Sequence, residues 1–292
     1  MSETSFIDTD RRFGGLERLY GRPAQERLAG THIAVAGIGG VGSWCVEALA
    51  RSGVGALTLI DLDHIAESNI NRQLHALTET LGVSKIEAMA RRVYGINPGC
   101  RVNLVDDFVT PENVHGVLPQ DLSLLVDCTD QASAKIAMIL EARTRRMPIV
   151  VCGGAGGKTN PLSLRASDLA QSLNDALLSK LRNSLRRQHG YPKASDQAGK
   201  PRKRVPKMGI RTLWFDQAAR LPDAWQDRER SVAAENAPAL TAGMPSGSEV
   251  SGQGLQGLSC AGYGSLVTVT AAMGLAAASE AMHYVIEGRF PA

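Results

Sequence analysis

The hydrophobic pattern is clearest between residues 32 and 154. Short apolar runs alternate there with longer stretches in which apolar positions recur at helical spacing. HIAVAGI (32–38) is a β-branched run that leads into glycines, as expected of a buried parallel strand. Residues 42–52 predict a helix and ALTLIDL (56–62) a second strand, which completes one βαβ unit. The alternation continues with a helix over 83–95, ending before INPG, and a strand at RVNLVDD (101–107). PENVHGVL (111–118) opens another helix, and LSLLVDC (122–128) is a fourth strand. A helix over 131–146 and a strand at PIVVCGG (148–154) complete the series. Such alternation over about 125 residues predicts an α/β fold built on a doubly wound parallel sheet. Residues 8–29 precede it and predict an amphipathic helical arm, with Phe13, Leu16, Leu19 and Leu28 set among Arg and Glu.

Past residue 155 the pattern fades. Residues 169–190 read as helical and basic, and 191–207 as a mobile loop of Pro, Lys, Arg, Gly and Ser. Residues 216–258 are poor in large apolar side chains and are expected to be partly disordered. Order returns over 261–286. The chain thus divides into an α/β unit with its helical arm, 8–165, and a basic, partly disordered C-terminal extension packed on the same fold, 166–292. Ala261–Ser279 is uncharged and nineteen residues long, near the length of a membrane span. It is filled with Ala, Gly, Ser and Thr, and Glu280 ends it. We expect an element packed closely inside the fold and no membrane segment.

Composition narrows the class. The chain has 292 residues, 43% hydrophobic and 21% charged, which is enough for a substantial globular core. No apolar run follows a basic start, so no secretory signal is expected. Cys45, Cys100, Cys128, Cys152 and Cys260 are scattered and form no C-x-x-C pair, which argues against a zinc ribbon or a disulfide framework. A reducing cytoplasm fits best. Charge is unevenly placed. Lys180–Arg211 holds eleven Lys and Arg against one acid, Asp196, a net +10; the whole chain is +3, which leaves −7 elsewhere. A basic segment on an otherwise acidic protein points to a polyanionic partner. The candidate cations are Arg182, Arg186, Arg187, Lys200, Arg202, Lys203, Arg204 and Lys207, with Arg182 and Arg186 four apart on one helix face.

The chemistry gathers at the first strand. Gly37, Gly39 and Gly42 spell G-x-G-x-x-G, with Gly40 inside the loop, and Asp61 follows nineteen residues after Gly42. Backbone N–H groups and a helix N-terminus then approach phosphate in a Rossmann-like fold. Asp61 suits a ribose hydroxyl pair, which NAD and ATP share. The next loop separates the two nucleotides. DLDHIAESNINRQLHA places Asp63, Asn69, Arg72 and Gln73 beyond the second strand, and Lys85 begins the following helix. A diphosphate bridge is mostly satisfied by backbone amides, whereas a departing β,γ-diphosphate needs cations, and Arg72 and Lys85 are candidates. The fourth strand ends in DCTD, and two acids there can hold Mg²⁺. We assign Asp130 to metal and Asp127 to structure, for example as the cap of the helix starting near Gln131. GGAGG (153–157) with Lys158 reads either as a tight loop beside the nucleotide or as a turn.

In this order, GIGGVGS, the DLD-to-NRQ loop, Lys85 and DCTD resemble the ubiquitin-activating-enzyme-like adenylating proteins, the ThiF/MoeB/HesA group, over about residues 10–160. The resemblance implies an adenylation domain that uses ATP and Mg²⁺ to convert a carboxylate into an acyl-adenylate. It implies that Asp61 holds ribose, that Asn69, Arg72 and Lys85 face the phosphates and that Asp130 faces the metal. It also implies a homodimer in which Arg12 of one chain reaches its neighbour's ATP.

A narrower likeness covers nearly the whole chain. RFGGLERLYG, INRQLHAL, GGAGGKTNP, SDLAQSLNDALLSKLR and CAGYG resemble the tRNA threonylcarbamoyladenosine dehydratase branch. That branch activates the threonyl carboxylate of the modified adenosine beside the anticodon, and the carbamoyl group then closes a ring with net loss of water. The tethered attack needs little beyond positioning, which accounts for the lack of a Ser-His-Asp or Cys-His constellation. Cys260 matches a cysteine of the branch and is either a reactive thiol or a small buried hydrophobe. The extension is then expected to bind tRNA. The expected partners are tRNA carrying threonylcarbamoyladenosine, a second copy of the chain and a sulfur-transfer protein, with neither DNA nor a membrane. The alternative function is adenylation of the C-terminus of a small ubiquitin-like or sulfur-carrier protein.

Overall fold

The computed structural model describes residues 8–196, 198–220 and 263–291. The expected disorder after residue 220 and the role of Cys260 lie outside the described residues. The N-terminal arm is two helices, α1 (Thr9–Tyr20) and α2 (Arg22–Ala29). Asp8 caps α1 by accepting from the Arg11 N–H at 2.9 Å. Gly21 breaks the pair at φ 82°, a value glycine tolerates, and a proline opens α2.

The core is a seven-stranded sheet. In chain order come β1 (His32–Ala36), α3 (Gly42–Arg51), β2 (Ala56–Ile60), α4 (Lys85–Ile96) and β3 (Arg101–Val105). Then follow α5 (Val114–Val117), β4 (Leu124–Asp127), α6 (Ala132–Arg145), β5 (Ile149–Cys152) and β6 (Leu164–Asp168). The series closes with α7 (Ala176–Gln188), β7 (Arg211–Phe215) and α8 (Val267–Glu287). The spatial order is β3-β2-β1-β4-β5-β7-β6, parallel throughout except for β6 against β7. Both faces are covered. Ile33 and Val35 pack on one side with α3, α4 and α8, while Ala34 and Ala36 pack on the other with α6 and α7. Two buried faces explain why the strands read as unbroken apolar runs.

The doubly wound sheet and the first five strands agree with the sequence. The helix opened at 111–118 shrinks to the single turn α5. Two strands escaped notice. β6 is a polar edge strand, and β7 (RTLWF) opens on a charge and a threonine directly after the basic loop, with no helical stretch before it to mark an alternation. The boundary drawn at 165/166 falls inside β6, and β7 inserts between β5 and β6 in the same sheet. The loop expected over 191–207 contains a turn in which Asp196 accepts from the N–H groups of Ala198 and Lys200 at 2.9 Å. The uncharged segment becomes most of α8, which lies on α3. A Cβ at Gly274 would stand 2.3 Å from Val41 O, so the small residues serve close helix packing. Among the described residues no helix is long and apolar enough to cross a membrane.

Candidate functional site

The strand order reverses between β2-β1 and β4-β5, and ligands of such sheets bind in the crevice outside the strand carboxyl ends at that point. A cavity of about 330 Å³ occupies it. Gly37 ends β1 at φ 83°, and a Cβ there would sit 2.9 Å from the Cys128–Thr129 backbone. A Cβ on Gly42 would lie 1.8 Å from Gly37 O. Gly37 and Gly42 therefore let the loop fold tightly against β4 and α3, and Gly39 and Gly40 line the cavity beside Gly37. Gly42 does not line it.

Asp61, Asp63, Asn69, Arg72, Gln73, Lys85 and Asp130 all line the same cavity. Asp61 accepts from the Ile38 N–H at 2.7 Å and from the Asp63 N–H at 2.9 Å, which ties the tip of β2 to the glycine loop. The buried Lys85 ammonium lies 2.5 Å from Asp63 Oδ2 and 3.7 Å from Asp61 Oδ1. Asn69 faces inward from its loop, and its Oδ1 accepts from the Ala66 N–H at 3.0 Å. Arg72 donates to Ser68 O at 2.7 Å, and Arg72 O accepts from the Trp44 indole at 3.1 Å. Gln73 Oε1 is buried with no partner, so one acceptor at the wall is unpaired.

The DCTD turn resolves its two acids. Asp127 is fully buried; it lies 3.1 Å from Lys135 Nζ and accepts from Thr129 N at 3.0 Å and Thr129 Oγ1 at 2.8 Å. Burial pushes its carboxyl up, and Lys135 and Thr129 pull it back down. It is structural, as assigned, but it is not a helix cap: Gln131 is the N-cap of α6 and makes no side-chain bond there. Asp130 is exposed on the cavity wall. Among the described residues no group of three or more His, Cys, Asp or Glu could enclose a metal ion. One carboxylate beside room for phosphates still suits Mg²⁺, which takes one or two carboxylates with phosphate oxygens and water.

Several contributors were not foreseen. Asp107, Phe108 and Val109 follow β3 and line the cavity, and Thr129, Ser265 and Thr270 complete it. Ala155 and Gly156 line it too, so the GGAGG loop does stand beside it. Lys158 turns away and donates to the carbonyls of Asn174 and Gln217. His75 donates Nε2–H to Ile38 O at 2.8 Å, while its buried Nδ1 has no partner. Burial lowers its pKa. Lys135 carried one visible signal: a lone charge among Ala134, Ile136, Ala137 and Met138.

Other expected residues stand apart. Arg12 does not line the cavity; it donates to Ile96 O at 2.7 Å in its own chain. Arg182 does not join an exposed stripe. It bends inward to Ser172 Oγ (2.8 Å), Ser172 O (3.0 Å) and Leu169 O (3.2 Å), because that face of α7 lies against the turn at Leu169–Gln171. Burial lowers its pKa. Among the described residues Lys180, Arg187, Lys193, Lys200, Lys203, Arg204 and Lys207 make no side-chain hydrogen bond or ion pair.

A doubly wound sheet with a glycine loop, an acidic strand tip and cations at the switch point defines an α/β nucleotide-binding protein. The chain belongs to the ThiF family, whose model matches residues 15–290. It is 40% identical over 273 residues to the tRNA threonylcarbamoyladenosine dehydratase of Escherichia coli K12, covering 93% of this chain and 92% of that protein. The crystal structure of E. coli tRNA N6-threonylcarbamoyladenosine dehydratase, TcdA, in complex with ATP superposes with a TM-score of 0.77 at 36% identity, covering 97% of each chain. The molybdopterin-synthase adenylyltransferase of Salmonella typhimurium is 31% identical over only 43% of this chain and 50% of its own length.

Proposed function

We propose that the chain is an ATP-dependent tRNA threonylcarbamoyladenosine dehydratase. It adenylates the threonyl carboxylate of the modified adenosine beside the anticodon, and the tethered carbamoyl group then displaces AMP to close the ring. The observation that carries this reading is one cavity holding the glycine loop, Asp61, Arg72, Lys85 and Asp130, in a chain alike end to end to a dehydratase whose structure contains ATP. Adenylation of a carrier protein has less behind it, because the likeness to the adenylyltransferase spans less than half of this chain.

The chain's own groups suit each requirement. A carboxylate is a poor electrophile at neutral pH, and adenylation supplies a good leaving group. Asp61 presents a carboxylate to ribose hydroxyls at the tip of β2. Ile60, Val109 and Ala134 offer an apolar wall for a base. Arg72 and Lys85 bring positive charge to the phosphates, where negative charge grows as pyrophosphate departs. Asp130 would hold Mg²⁺, and that ion would supply further neutralisation of the triphosphate. The free cations of the basic tract would neutralise tRNA phosphates. Two copies of the chain would pair so that Arg12 of one serves the other's ATP, in the cytoplasm. The test is pyrophosphate release from ATP. Bulk tRNA bearing the threonylcarbamoyl group should stimulate it strongly, and equal release without RNA would overturn the substrate assignment.

A further inference from the structure

A second concave space lies within the basic tract. α7 contributes Asn183, Arg186 and Arg187 to its wall, and the turn beyond contributes Lys193, Ser195 and Pro201. It measures about 410 Å³, and among the described residues no acidic side chain lines it. Arg186 is anchored by Nε donating to Pro192 O at 3.1 Å, yet its Nη2 is buried with no acceptor. Arg187 and Lys193 are exposed and have no hydrogen-bond or ion-pair partner among the described residues. Asp168, whose field reaches Arg186, is taken up by the N–H groups of Ala170, Met208 and Gly209. Three cations around a hollow, two of them exposed and without a partner among the described residues, match the needs of a phosphate group.

The position of the hollow selects the kind of phosphate. Asp175 caps α7 and accepts from the Gly154 N–H at 2.8 Å, next to Ala155 and Gly156 of the nucleotide cavity. Arg186 lies eleven residues further along α7, roughly 16 Å at ~1.5 Å per residue. The hollow is therefore out of reach of a triphosphate seated on the glycine loop. A molecule that presents a carboxylate at the first cavity and an anion at the second must carry negative charge at a distance from its reacting end, as a polynucleotide does.

We propose that this hollow seats backbone phosphate of the tRNA substrate, with Arg187 and Lys193 as the free cations and Arg186 as the fixed one. The proposal rests on the dehydratase reading. The test compares the full-length protein with the double variant Arg187→Ala/Lys193→Ala, using threonylcarbamoylated bulk tRNA over a salt series. Loss of two phosphate contacts should flatten the slope of log affinity against log salt by about 1.4 to 1.8, and at ~0.1 M salt raise KM for tRNA roughly 25- to 60-fold. ATP affinity and kcat at saturating tRNA should not change, and Arg187→Lys/Lys193→Arg should keep the original slope. An unchanged slope and KM in the alanine variant, with normal tRNA-stimulated turnover by the parent, would overturn the phosphate seat and leave the dehydratase reading intact. No tRNA stimulation of the parent would overturn that reading and the RNA assignment with it.

Discussion

The Lys135 ammonium and the Asp127 carboxylate meet at 3.1 Å, and neither side chain has any exposure to solvent. Lys135 also donates to Cys152 O at 2.7 Å, so this one amine joins the ends of β4 and β5. Asp127 passes that order on to Thr129, one residue before Asp130. The pair is a brace beneath the wall of the cavity that carries Thr129 and Asp130. Removing one partner of such a pair strands a buried charge and typically costs about 3–5 kcal/mol. Lys135→Met should lose about that much in urea unfolding. Lys135→Met/Asp127→Asn should regain a large part of it, because no buried charge is left unpaired. Equal stability of Lys135→Met and the parent would refute the brace.

Asp130 differs from Asp127 in being exposed and free of the brace. Asp130→Asn should leave the thermal midpoint within ~1 °C of the parent, since surface changes rarely exceed about 0.5 kcal/mol. Its Mg-dependent pyrophosphate release should fall by about 100-fold or more, the scale of losing one electrostatic contact to a transition state. Near-normal release would remove Asp130 from the site.

Arg12 makes its one described side-chain bond at Ile96 O, on the surface and outside the cavity. If it serves a neighbour's ATP, Arg12→Ala chains and Asp130→Asn chains should each be inactive alone. Mixed after subunit exchange, they should recover activity, because one hybrid site then holds both residues. Absence of recovery with exchange verified by mass would mean that each chain works alone.

His75 and Asp61 clamp Ile38 from its two sides, His75 through Ile38 O and Asp61 through the Ile38 N–H. Burial holds the His75 pKa below the ordinary histidine value; Lys85 lowers it further, and the bond to Ile38 and the Asp61 charge only partly offset this. The folded state therefore refuses a proton that the unfolded chain accepts. Its contribution is fully present above about pH 6.5 and is lost as pH falls toward the folded value, with a slope of up to about 1.4 kcal/mol per pH unit. Between pH 7 and 5 the unfolding free energy of the parent should fall more steeply than that of His75→Gln. Parallel pH profiles would exclude His75 as the source.

The α/β alternation, the glycine loop and the meeting of Asp61, Asn69, Arg72, Gln73, Lys85 and Asp130 at one sheet edge are legible in the amino-acid order alone. Each of these is written locally: strands buried on both faces make unbroken apolar runs, and the loops that follow them converge at one sheet edge whatever the distant chain does. What depends on partners far along the chain emerges only once the chain is folded. β7 pairs with β5 and β6 without a pattern of its own. Arg182 turns in and Arg187 stays out, although both sit in the same basic run, because one face of α7 lies against α6 and the turn at Leu169–Gln171 and the other meets solvent. Lys135 and His75 look like ordinary polar residues in the sequence, and only the loss of water around them, together with Asp127 and Ile38 brought within reach, makes them supports behind the cavity wall. Desolvation and long-range pairing leave no periodic trace in a sequence, so these assignments had to come from the fold.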